Sequence, residues 1–161
     1  MTQRVVITKG IGFYLTPLAM YEYYKLKGID IFIYEKKLDY RDRKKQKDFF
    51  TYMQRLTLNQ ILKNNFKDNS GGFYAFTKNH GYKVMDDYND TMFNQDSWLY
   101  EGFNSIESRM DKDLIAVCDK LGRNATFEEH KICEIPDGIV LELNEGEAGG
   151  EWISEVHRTW F

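Results

Sequence analysis

Apolar positions fall in short runs separated by clear punctuation. Arg4-Val5-Val6-Ile7 is β-branched and predicts an opening strand over 4–8. Gly10 and Gly12 then bracket a turn, and Thr16-Pro17 pairs a capping hydroxyl with proline at the first helical position. A helix over 17–27 follows, with Leu18, Ala19, Tyr21 and Leu26 as a partly apolar face and Gly28 as its stop. Ile29 to Tyr34 is β-branched or aromatic and predicts a strand over 29–35. Phe49, Met53 and Leu56 then recur at spacings of four and three, flanked by Tyr52 and Leu62, which predicts the longest helix over 42–63.

Asn69-Ser70-Gly71-Gly72 is a turn signal leading into a strand over 72–77. Lys78 to Phe103 is aromatic, rich in Asp and Asn and without period, which reads as a long loop, and loops of this length usually carry function. Ser108 and Asp111 resemble a capping arrangement ahead of a helix over 110–121, whose stripe is Leu114, Val117, Cys118 and Leu121 and whose end is Gly122. Two strands, 131–135 and 139–143, flank Pro136-Asp137-Gly138 and predict a hairpin. Glu151–Val156 is read as a short terminal helix, and with the terminal segment helical Trp152, Val156 and Trp160, four residues apart, fall along one side, bury together and anchor the tail.

These elements predict an α+β fold, a mainly antiparallel sheet with two to three helices packed on one face. With 161 residues, 42% of them apolar, and no linker or repeat, the chain reads as a single domain carrying a long basic and aromatic insertion at about 36–104. It has no apolar run long enough to cross a membrane and no apolar leader, and its two cysteines fit a reducing compartment, so a cytoplasmic protein is expected.

The net charge of −3 hides an asymmetry. Lys36 to Arg55 holds eight basic and three acidic residues, whereas Glu128 to Glu155 holds nine acids against Lys131. One stretch attracts anions and the other a basic partner. Six tyrosines beside polar residues, among them Tyr82, Tyr88 and Tyr100, together with Trp98 and the cations Arg41, Arg43, Lys44, Lys45 and Lys47, are candidate partner-binding residues, because Tyr, Trp and Arg dominate interface hot spots. The same types stack bases along a basic groove, which keeps nucleic acid as a further alternative through 36–55.

Catalytic chemistry is thin. His130 and Cys133 have a chelating spacing, but Cys118 falls on a helix stripe, so no metal is assigned. The acidic run from Asp86 lacks the glycine and glutamate of a calcium loop. Ser70 is not in a nucleophile elbow, there is no phosphate loop, and no cofactor is implied. Gly12 and Thr16 at a helix start, with Arg158, are candidate anion ligands. The tail gathers Glu151, Trp152, Glu155, His157, Arg158 and Trp160.

Gly12-Phe13-Tyr14-Leu15-Thr16, Lys27-Gly28-Ile29, Asp113-Leu114-Ile115 through Leu121-Gly122, Glu134-Ile135-Pro136-Asp137-Gly138 and Glu151-Trp152-Ile153 through His157-Arg158-Thr159-Trp160 resemble a family of small bacteriophage accessory proteins. The resemblance covers about half the chain. This sequence departs from the family pattern in its longer, basic 36–104 and in Gly146–Gly150. The resemblance implies a phage protein acting in the bacterial host cytoplasm and assigns no catalytic residue. The leading expectation is therefore a non-enzymatic protein that binds a host protein, for example to inhibit a defence system. A small-molecule or nucleotide-sequestering module is the alternative.

Overall fold

The computed structural model describes residues 2–10, 12–40, 49–66, 72–85, 92–93, 96–99 and 102–156, with side chains at 38–40 and 49–51 excepted. They gather into two compact units: a terminal unit from the chain up to Leu15 and from Gly102 onward, and a central unit from Thr16 to Glu101. The fold is α+β, and every pairing among the described strands is antiparallel.

In the terminal unit, β1 (Thr2–Thr8) pairs with β7 (His130–Pro136), with Val5 opposite Cys133. Val5 and Val6 are fully buried, as the β-branched run requires. α3 (Ile106–Arg109) and α4 (Lys112–Leu121) lie against β1, and α4 buries Leu114, Ile115, Val117 and Cys118. Asp111, rather than Ser108, caps α4 by accepting from the Asp113 N–H, while Ser105 caps α3. A separate hairpin is made by β8 (Leu141–Glu145) and β9 (Glu151–Glu155), with Leu143 opposite Ile153.

Two expectations are corrected here. The Pro136-Asp137-Gly138 turn forms, but β7 pairs with β1 and β8 with β9, so it redirects the chain instead of folding a hairpin. The segment from Glu151 is a strand, not a helix, and Trp152 and Val156 are exposed. A spacing of four places residues on one side of a strand as well as of a helix, and pairing with β8 decides between them.

The central unit holds a five-stranded sheet in the order β5-β3-β2-β4-β6, built from β2 (Phe32–Tyr40), β3 (Phe49–Arg55), β4 (Phe73–Phe76), β5 (Lys83–Val84) and β6 (Trp98–Leu99). The expected helix over 42–63 is therefore replaced by β3 and, after it, a six-residue α2 (Leu58–Lys63). Met53 has partners on both sides, Lys36 on β2 and Val84 on β5, and it is fully buried. Burial in the middle of a sheet outweighs a helical spacing of three apolar residues. Within the stretch expected to be a loop, β5 and β6 pair as the two sheet edges.

One sheet face carries Tyr34, Met53, Phe76 and Val84, which bury with Met92, and Phe32, Tyr74, Phe93 and Trp98 pack around them. On the other face Ile33, Ala75 and Phe73 are buried, and Phe66 meets the Phe73 ring at 4.9 Å. α1 (Pro17–Leu26) begins where expected: the Thr16 hydroxyl accepts from the Ala19 N–H at 3.3 Å. α2 has a reciprocal cap, the Thr57 hydroxyl accepting from Gln60 N–H and the Gln60 side chain from Thr57 N–H. The described strands thus form three sheets rather than the single sheet expected.

Candidate functional site

The tail motif singled out from the sequence resolves into a two-faced hairpin. Directly paired residues share a face, so Leu143, Ile153 and Glu151 point one way and Glu142, Asn144, Trp152 and Ser154 the other. The inner face is fastened by an ion pair. Arg109 donates from Nη1 and Nη2 to the two Glu151 carboxylate oxygens at 2.6 and 2.8 Å, with 3% and 8% of the side chains exposed. Two further donors are used as well: Nε meets the Phe103 carbonyl at 2.6 Å, and Nη1 also reaches the Val6 carbonyl at 3.3 Å. The guanidinium lies 4.2 Å from the Phe13 ring centre, and Phe13 meets Phe103 edge to face.

Glu151 Oε1 in turn accepts from the Thr8 N–H at 2.8 Å, and the Gly150 N–H donates to the Gly10 carbonyl at 2.8 Å. The start of β9 is thereby tied along β1. The connection from Gly146 to Gly150 folds on itself, with Gly149 and Gly150 at φ of 88° and 84°, where glycine alone is unstrained. Sequence reasoning picked out Glu151 but not Arg109, which sits among polar residues in a four-residue helix and carries no periodic signal.

Among the described residues the outer face is exposed. Trp152 is 51% exposed, and Val140 and Val156, joined by a backbone bond at 2.8 Å, are 59% and 40% exposed. Between them runs a hydrogen-bonded row: Asn144 Nδ2 donates to Ser154 Oγ at 2.8 Å, and Ser154 Oγ donates to Glu142 at 3.0 Å. Glu142 is exposed on this face and Glu147 is exposed in the turn beyond it, whereas Glu145 and Glu155, opposite Glu151 and Leu141, are exposed on the other side. The terminal unit carries thirteen acidic and eight basic residues, a balance of −5, whereas the central unit has twelve and fourteen, a balance of +2.

The chain matches no known protein family, characterised protein or solved structure. Function therefore rests on the residues themselves.

Gly12 lies in the terminal unit at φ 82°, against the Tyr14 ring, and Thr16 is a buried cap in the central unit. Tyr82 is 52% exposed, whereas Trp98 packs against Phe93 with ring centres 4.8 Å apart. Arg41, Arg43, Lys44, Lys45, Lys47, Tyr88, Tyr100, His157, Arg158 and Trp160 lie outside the described residues. His130 and Cys133 are three apart on a strand, which sends their side chains to opposite faces. Burial, reinforced by Asp119, pushes the Cys118 thiol up to about 12, so at neutral pH it packs as a small hydrophobe. No helix among the described residues is long and apolar enough to cross a membrane.

A second polar cluster centres on the buried Tyr34 hydroxyl, which donates to the Gly81 carbonyl at 2.7 Å and accepts from the His80 N–H at 2.8 Å. His80 Nε2 lies 3.1 Å from Ser97 Oγ. Burial, and then the nearby Lys78, lowers the His80 pKa below 6.5; burial, and then Arg123, lowers that of His130. The fold thus favours neutral imidazoles, and below about pH 6.5 the unfolded chain takes up protons first. The stability these groups contribute is present above pH 6.5 and lost as pH falls through their folded-state values. Urea midpoints are expected to fall between pH 7.5 and 5, and His80→Asn is expected to flatten that slope; an unchanged slope counts against burial as the cause.

Proposed function

We propose that the chain is a non-enzymatic binding protein that grips a basic segment of a partner protein with the outer face of the β8–β9 hairpin. The observation that carries this reading is Trp152, a large aromatic held half-exposed on a hairpin whose opposite face is locked by the Arg109–Glu151 pair. A rigid aromatic anchor loses little entropy on binding. Val140 and Val156 extend the apolar contact, and the exposed Glu142, with Glu147 in the turn, complements lysine or arginine on the partner. Arginine suits both features at once, since it stacks on indole and forks onto carboxylate. The resemblance to phage accessory proteins supplies the setting: a host protein as the partner, and inhibition of a defence system as the consequence of binding.

Quantitative capture from bacterial lysate, followed by calorimetry with the captured protein, tests the reading. Trp152→Ala is expected to weaken binding at least about 30-fold, the threshold of a hot spot. It should leave the melting temperature within about 2 °C, because the side chain is not in the core. Glu142→Lys should slow association and remove most of its salt dependence. A partner that binds Trp152→Ala as tightly as the wild type would sink the proposal.

A further inference from the structure

The face of the central sheet that carries Ile33, Phe73 and Ala75 changes character across its width. Toward β4 it is apolar and closed, with Ile33, Ala75 and Phe73 buried. Toward β3 and β5 it is polar and open. Gln54 stands directly opposite Lys83, and Lys37 directly opposite Tyr52, so these four share the face. The Lys83 ammonium lies 4.4 Å from the Tyr52 ring centre, and Gln54 Nε2 donates to the hydroxyl of Tyr82 at 2.8 Å, which fixes that exposed ring beside the sheet. Glu35 is the one acid described in this patch, 3.7 Å from Lys37. With Lys37 and Lys83 against Glu35, the described patch keeps a positive balance.

We propose that this face binds single-stranded RNA. Lys37, Lys83 and Tyr52 on the sheet and Tyr82 beside its β5 edge supply the groups of single-strand recognition, in which rings stack on bases and ammonium groups neutralise phosphates. A duplex presents no free base faces to such a platform. RNA is chosen over DNA because the Tyr82 hydroxyl can donate and the Gln54 amide oxygen can accept beside the stacking ring. A 2′-hydroxyl both donates and accepts there, and deoxyribose does neither.

Fluorescence anisotropy with a labelled 12-nucleotide oligoadenylate, as RNA, as DNA and as an RNA duplex, tests this on the full chain. The single-stranded RNA is expected to bind most tightly. Its log affinity should fall with log salt, and the slope should lessen by about 0.7 for each of Lys37→Ala and Lys83→Ala. Tyr82→Ala should weaken binding roughly 5- to 150-fold. Tyr82→Phe keeps the ring but removes the hydroxyl, and is expected to keep the affinity for the DNA and lose the preference for the RNA. If Tyr82→Ala loses its native circular dichroism, Lys83→Glu reads the same face from outside the core and should abolish binding. Absence of binding at low salt, equal affinity for the DNA, or wild-type affinity in both Tyr82→Ala and Lys83→Glu overturns the proposal.

Discussion

Arg109→Met and Glu151→Leu, made singly, are each expected to destabilise the terminal unit by about 3–5 kcal/mol, because each strands the opposite charge in a site from which water is almost excluded. For a unit of this size that is a fall in melting temperature of more than about 10 °C. The double variant is expected to recover much of the loss, since two apolar side chains of similar volume need no partner. The cycle of four proteins, followed by urea unfolding, isolates the coupling between the two residues. Additive single effects would show that the pair does not act as a unit. Tryptophan emission offers a local probe, because Trp152 follows Glu151 directly and should lose its fixed environment in either single variant.

Phe76→Ala is expected to have the comparable effect in the central unit, about 3–5 kcal/mol. Its side chain is fully buried and meets Tyr34 at 5.5 Å, His80 at 5.2 Å and Phe93 at 5.7 Å between ring centres, so the cavity left behind has walls on several sides. Tyr34→Phe is the milder test of the same core. It deletes one oxygen and leaves the Gly81 carbonyl and His80 N–H without that partner, for a cost of about 1–3 kcal/mol. Denaturant midpoints that rank Tyr34→Phe as the more damaging of the two would mean that the hydroxyl network, and not ring packing, holds this sheet together.

Local signals carried the helix starts and the isolated strands. Thr16-Pro17 specifies its helix through a hydroxyl and a fixed φ, both local properties, and Leu114, Val117 and Cys118 specify α4 by spacing alone. What was illegible depended on partners distant in sequence. Met53 is a strand residue because Lys36 and Val84 flank it, and nothing within four residues of it says so. Trp152 looked like an anchor because its apolar surface was visible and its register was not; pairing with Asn144 turns it outward. The Arg109–Glu151 pair spans forty-two residues and joins a short helix to a strand, so no pattern in either segment announces the other. On the central sheet the basic stretch was legible as charge, but the arrangement of Lys83 over Tyr52 required β5, a strand of two residues hidden in an aperiodic run.

The Arg109–Glu151 pair has a further effect through the backbone groups it occupies. Val6 C=O, Thr8 N–H and Gly10 C=O lie at alternate residues, on the side of β1 that faces away from β7. Arginine donates to the first, glutamate accepts from the second, and the Gly150 N–H donates to the third, so two side chains and one amide imitate the ladder of an absent neighbouring strand. An uncovered strand edge templates association with other chains. The ion pair is thus also a guard against aggregation, and a variant lacking it exposes a sticky edge at the moment its own unit loosens.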